Sequence, residues 1–147
     1  MQNAVLDSAH TWFFDSLTHG LEDELIITLI EGTKGKSAEL IDISGVNLGY
    51  GFPVGITEKS RGIQIIFPYT IAFFILNESY DIGDDAREKD TGKFLFKIET
   101  SSLRKFIETQ TLVFTLQESC EEFLLWCEDR VFSIFTTAPP IIQQIEN

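Results

Sequence analysis

Between Ile63 and Asn77 the chain is apolar at nearly every position, yet Gln64, Pro68 and Thr70 interrupt the run. A helix that crosses the ~30 Å hydrocarbon core of a bilayer needs about 20 predominantly apolar residues. The run is too short and too broken for that, and it reads as buried strand. Pro68 has no N–H to give a ladder, so it marks a bulge, a bend or the break between two strands. After it, Tyr69, Ile71, Phe73 and Ile75 alternate with Thr70, Ala72, Phe74 and Leu76, and both faces are expected to be buried.

The flanking segments are read by the same periodicities. Ala9, Trp12, Phe13 and Leu17 fall at helical spacing, which predicts a helix over Ser8–Leu17, capped by Asp7 or Ser8 and ended by Gly20. Strands are expected at 24–31 and 38–43, paired as a hairpin across the short polar linker 32–36. The glycine-punctuated stretch Gly45–Gly62 predicts a loop with one irregular strand near 48–56, and Glu78–Gly92 an exposed loop. Lys93–Glu99 reads as a half-buried strand with Phe94, Phe96 and Ile98 inward and Leu95 and Lys97 outward. Ser101 or Ser102 caps a second helix that runs to Gln110, its apolar stripe made by Leu103, Phe106 and Ile107. Leu112–Leu116 is expected as a strand. Phe123–Cys127 and Val131–Thr136 form a tight hairpin around Glu128 and Asp129. Ala138-Pro139-Pro140 ends the sheet, and Ile141, Ile142 and Ile145 trail away.

The order of elements predicts an α+β fold in one domain, residues 1–147. Its sheet is mainly antiparallel, with five to eight strands and two short helices packed on one face or end. The expected core includes Trp12, Phe13, Ile71, Phe73, Phe96, Phe106, Leu125 and Phe132.

Charge narrows the partners. The chain holds 23 acidic and 11 basic residues in 147, a net charge of −12. Phosphate contacts need a basic footprint, so a general nucleic-acid binder is not expected, nor is docking on anionic membranes. Acidic excess favours solubility and speeds encounter with cationic partners. Residues 1–31 carry six acids and no Lys or Arg, and residues 118–147 carry six acids, Glu118 among them, against Arg130. Nearly all the excess lies at the two chain ends. Termini often lie close together, which predicts one acidic face. The alternative is two solvated segments on opposite sides.

Candidate chemistry is sparse. Cys120 and Cys127 are too few for a disulfide framework and match no metal or redox spacing, which predicts reduced core thiols in a cytoplasmic protein. The N-terminus lacks the basic region of a secretory signal. His19 precedes Glu22, Asp23 and Glu24, a setting that could serve a general base, but the favoured reading is a histidine at a helix C-terminus. His10 and His19 with the two cysteines lack zinc spacing. Gly49–Gly55 is not a phosphate-binding glycine loop, and Asp81–Asp90 lacks the ligand order of a calcium loop. No catalytic residue, metal or cofactor is expected.

The helix predicted at Trp12-Phe13-Phe14, leading through His19-Gly20 into a strand, and the closing hairpin Phe123–Ile134 resemble small acidic bacterial immunity proteins, which neutralise a cognate toxin. The resemblance implies a toxin-neutralising protein, and no functional residue carries over from it. The leading expectation is a non-enzymatic protein that masks a basic surface of a protein partner, through Glu22, Asp23, Glu24, Glu121, Glu122, Trp126, Glu128 and Asp129. The alternatives are a small-molecule-binding domain or small enzyme that uses the His19 and Gly45–Gly62 regions, and a homo-oligomer that joins through an exposed sheet face.

Overall fold

The computed structural model describes residues 1–117 and 119–146. It opens with a single helical turn, α1 (Ala4–Asp7), capped by Asn3, whose side chain accepts from the N–H groups of Val5 and Leu6. Then come two antiparallel strands, β1 (Thr11–His19) and β2 (Leu25–Lys34). The helix expected at Ser8–Leu17 is therefore a strand. A register shift between Phe14 and Ser16 explains the misreading. The extra residue, Asp15, lets Trp12, Phe14 and Leu17 all pack against the core, and a bulged strand then imitates helical spacing.

The expected pairing of the second and third segments is also corrected. Among the described residues, β3 (Glu39–Ile43) pairs with β4 (Val46–Gly51) and with no other strand. Ser44 and Gly45 between them both have positive φ, 53° and 83°, the signature of a two-residue type I′ turn. β5 (Val54–Gly55) returns to pair with Thr33 and Lys34 at the end of β2. β6 (Gly62–Phe67) and β7 (Thr70–Asn77) follow on either side of Pro68, which does mark a break.

After a 3-10 turn at Glu78–Tyr80 come β8 (Glu88–Lys89) and β9 (Leu95–Thr100). Next are α2 (Ser102–Gln110) and α3 (Val113–Leu116). Ser101 caps α2 as expected, its Oγ accepting from the Arg104 N–H at 2.9 Å. Leu112–Leu116, expected as a strand, is largely helix because Val113 and Phe114 both reach the cluster of Ile107, Cys120 and Phe135. Phe114 meets Phe135 edge to face at 6.3 Å. The chain closes with β10 (Glu121–Trp126), β11 (Arg130–Thr136) and β12 (Ile141–Ile145). The β10–β11 hairpin stands where expected. The tail does not trail away: β12 pairs with β6 from Ile141–Ile66 to Ile145–Gly62.

Sheet one runs β1-β2-β6-β12 with β5 at its margin, and sheet two runs β7-β11-β10-β9-β8. The described strands number twelve, short ones included, against five to eight expected. Both sheets feed one core: Trp12, Leu25, Ile27, Leu29, Ile63, Ile65 and Phe67 meet Leu95, Phe123, Leu125, Phe132 and Ile134. Phe67 and Phe123 touch across the layer with ring centroids 5.9 Å apart. The outer face of sheet two is covered in part by α2 and α3 and in part by its own cluster of Phe96, Ile98, Leu124 and Val131. The fold is α+β, strand-dominated and antiparallel, with α2 and α3 on one face. Among the described residues no helix is long and apolar enough to cross a membrane.

Several burial expectations change with position in the fold. β7 is an edge strand, so Ile71 and Phe74 are exposed and Phe73 is only half-buried. Phe13 is half-buried on the outer side of sheet one, and Phe106 points away from α2's contact and is exposed. Leu95, expected outward, is fully buried between the sheets, because β9 is covered on both faces.

Candidate interaction surface

The structure divides the sequence-predicted acids between two ends of the sandwich. Glu22, Asp23 and Glu24 occupy the β1–β2 turn. The Asp23 carbonyl accepts from the Thr70 N–H at 2.8 Å, Thr70 pairs with Thr136, and Thr136 pairs with Glu121. Glu121 thus belongs to this end, where it forms an ion pair with Lys97 at 2.9 Å. Glu128 and Asp129 lie at the other end of the β10–β11 hairpin. Glu128 accepts from Thr11 Oγ1 at 2.7 Å and Asp129 from the Phe14 N–H at 3.0 Å. Glu118 lies outside the described residues.

Glu122 stands apart from the rest. It is 1% exposed, and its two carboxylate oxygens share the single hydroxyl proton of Ser101, with Oγ at 2.6 and 2.9 Å. Burial pushes its carboxyl above the ordinary range, opposed by the Ser101 hydrogen bond and by Arg104 and Arg87. A side chain so buried cannot face a partner. Its place is under the capped start of α2, where a carboxyl is favoured by the helix dipole.

Trp126 and Glu128 come together at the Glu128 end. With Thr11, Glu78, Lys93, Phe94 and Cys127 they line a cleft of about 250 Å³. The half-buried Trp126 packs on the outer cluster of sheet two, and Lys89 Nζ sits 5.6 Å from its ring centre. Glu78 enters because β7 ends beside the β10–β11 turn, its N–H donating to the Asp129 carbonyl at 3.2 Å. The Lys93 ammonium, which also lines the cleft, donates to the Ala9 and Asp7 carbonyls at 2.6 and 3.3 Å. The cleft therefore offers an aromatic wall and two carboxylates. Glu78 could not be found from sequence, since nothing local marks a residue 50 positions from Glu128 as its neighbour.

The same end carries the β3–β4 hairpin, reached from β2 just past Gly32, the residue paired with Thr11. Both of its faces are open. Ile43, Val46 and Leu48 are 58–59% exposed and Tyr50 is 77% exposed. A two-stranded ribbon with no third layer is marginal in water by itself, and apolar surface exposed in this way marks contact sites. Its carboxylates, Glu39 and Asp42, add to the acidic character of this end.

The residues singled out for catalysis do not converge. His19 pairs with Leu25 at one end of β2, whereas Gly55 pairs with Thr33 at the other. The His19 ring is exposed and meets Phe73 edge-on at 5.1 Å. It ends a strand and not a helix, so the helix-dipole reading falls away. Residues 33–36 and 53–59 line a separate open cavity of about 670 Å³. Among the described residues no group of three His, Cys, Asp or Glu is arranged to hold a metal.

Cys120 and Cys127 are both buried and unpaired by a disulfide. Burial raises both thiols above their ordinary range, with Asp129 adding to the effect at Cys127. Thiolate is the reactive form. Neither cysteine should react with a disulfide reagent in the native protein, and both should react at once in denaturant. Rapid modification of the folded protein would show that the thiols reach solvent.

Compared with known proteins, the chain matches no family model, no curated protein and no solved structure.

Proposed function

We propose that this protein is a non-enzymatic binding protein whose partner is a basic protein, and that a lysine or arginine of that partner enters the Trp126–Glu128 cleft. The observation that carries the reading is the meeting of an aromatic wall with the carboxylates of Glu78 and Glu128, on a chain of net charge −12. A cation over a tryptophan face gains about 0.5–2 kcal/mol, more as water leaves. The acidic body speeds the encounter and repels acidic competitors. The exposed apolar side chains of the β3–β4 hairpin supply the desolvated contact that charge alone does not. Neutralising a basic toxin, as immunity proteins do, is the biological setting that fits this arrangement. The acids at the far end, Glu22, Asp23, Glu24 and Glu121, act in this reading by long-range steering.

The test is titration of an arginine-rich peptide, followed by tryptophan fluorescence at low and high salt. Glu128→Lys and Trp126→Ala should each weaken binding about tenfold or more, a loss of ~1.4 kcal/mol, and salt should weaken the wild-type complex. Binding that ignores both substitutions and salt would remove the proposal.

A second reading rests on the open cavity beside the hairpin. Pro53, Val54 and Ile56 give it an apolar lining, and Lys34, Lys36 and Lys59 give it positive charge, a combination suited to an amphipathic anion. The absence of heat on calorimetric titration with laurate would exclude that class.

A further inference from the structure

Sheet two is covered in part on its outer face by α2 and α3, but among the described residues the outer face of sheet one carries no such layer. Strand pairing places its outward side chains in three rows across β1, β2, β6 and β12. The first row is Thr18, Ile26, Ile66 and Ile141. The middle row is Ser16, Thr28, Gln64 and Gln143, with the Gln143 amide donating to Gln64 Oε1 at 3.1 Å. The third row is Phe13, Ile30, Gly62 and Ile145. None of these positions is charged, in a chain whose residues are 23% charged. Thr28 and Gly62 are buried, and the ten positions that reach solvent would hold about three charges at the usual ~25–35%.

The geometry points to a second copy of this chain as the occupant, packed face to face on sheet one about a two-fold axis along the middle row. Such an axis makes the interface self-complementary, because each patch meets itself. It sets the first row of one copy against the third row of the other. Ile66 then faces the gap above Gly62 of the partner copy, Ile141 faces Ile145, and Ile26 faces Ile30. The middle row meets itself, so Gln64 and Gln143 can exchange amide hydrogen bonds across the axis. Charge selects the same face. Two bodies of net charge −12 repel wherever their carboxylates approach, and none of the twelve positions carries one. Four strands at ~4.8 Å spacing and rows spanning about six residues give a flat footprint of roughly 400 Å². That is below the ~600–1,000 Å² that standard interfaces bury per partner and fits a weak, reversible dimer. The face is distinct from the Trp126–Glu128 cleft, so the two proposals stand or fall separately.

The test is sedimentation equilibrium of the full chain over roughly 1–200 µM, a span that brackets a micromolar dissociation constant. The mass should rise from 16.7 kDa toward twice that value. Salt should tighten the dimer by screening the repulsion, whereas it weakens a complex with a basic partner. Gln143→Glu lies on the exposed edge strand and sets like charges across the axis. It should raise the dissociation constant about tenfold or more, with circular dichroism and melting temperature unchanged. Ile66→Glu should do the same, and Leu40→Asp on the distant hairpin should do nothing. A wild-type chain that stays monomeric at the highest concentration overturns the proposal. So does a dimer that ignores Gln143→Glu and Ile66→Glu, or one that Leu40→Asp dissolves.

Discussion

Trp12→Ala is expected to cost the fold ~3–5 kcal/mol, the range for truncating a fully buried large aromatic, and more if the site cannot collapse. Trp12 is 0% exposed at the start of β1, within the core shared by the two sheets. Its indole N–H donates to the Leu6 carbonyl at 2.9 Å, a buried contact that ties α1 to the sandwich. Arg61, ion-paired with Glu31, lies 5.9 Å from the ring centre. The substitution therefore opens a cavity, strands a buried carbonyl and loosens the N-terminal turn together. Trp12→Phe separates the effects, since it keeps most of the volume and loses the donor. It should cost about 1–3 kcal/mol, the penalty for a buried polar group left without its partner. Urea unfolding of the two variants measures both numbers. A loss under about 1 kcal/mol for Trp12→Ala, the scale of a surface change, would place the side chain outside the core.

Glu122→Lys is expected to be comparably damaging, whereas Glu122→Gln is expected to be nearly silent at low pH and stabilising at neutral pH. The site is 1% exposed, and Arg104 and Arg87 act on it electrostatically. A buried ammonium there loses the hydrogen bond from Ser101 and faces two guanidinium groups, with Asp84 the carboxylate that also acts on the site, which should cost ~3–5 kcal/mol. Glutamine keeps the shape and an oxygen to accept from Ser101 Oγ. The pH dependence separates the two forms. Because burial raises the Glu122 pKa in the folded state, the folded protein holds this proton more tightly than the unfolded chain does. The stability this gives is fully present below the unfolded-state value of about 4.3, and it is lost as pH rises through the folded-state value. Glu122→Gln should therefore gain on wild type across that window and hold the gain at higher pH. Denaturant curves at several pH values read the difference. Parallel profiles for the two proteins would mean that Glu122 reaches water.

Glu122 also shows why the candidate surface was only partly legible. In sequence it is one of a pair of adjacent glutamates, and alternation along a strand says only that the two point to opposite faces. Which face is buried depended on α2 packing over sheet two, and that puts Ser101 against Glu122 and leaves Glu121 at the rim with Lys97. The acidic chain ends followed the same logic. Their excess charge was plain in sequence, but topology sent Glu22–Glu24 to one end of the sandwich and Glu128–Asp129 to the other. It also brought Glu78 to the second group.

Local physics made several elements readable. The Ser101 cap of α2 with Leu103 and Ile107 on its packed side, the Pro68 break and the β10–β11 hairpin all arise from residues within a few positions of one another. The antiparallel, strand-rich α+β class follows from period-two runs summed over the chain. The bulge at Asp15 defeated the same reasoning, because one extra residue in a strand copies the spacing of a helix. The choice of partner strands was also beyond local reading. β2 pairs with β6 and not with β3, and β12 pairs back to β6, because each strand goes where the most apolar surface is buried. That quantity belongs to the assembled sheets and to no segment alone. Sequence by itself determined the strand-rich, antiparallel class and how much acid the chain carries. The tertiary structure decided which acids reach the surface and which aromatic they meet, because burial and charge proximity are set by contacts between residues far apart in the chain.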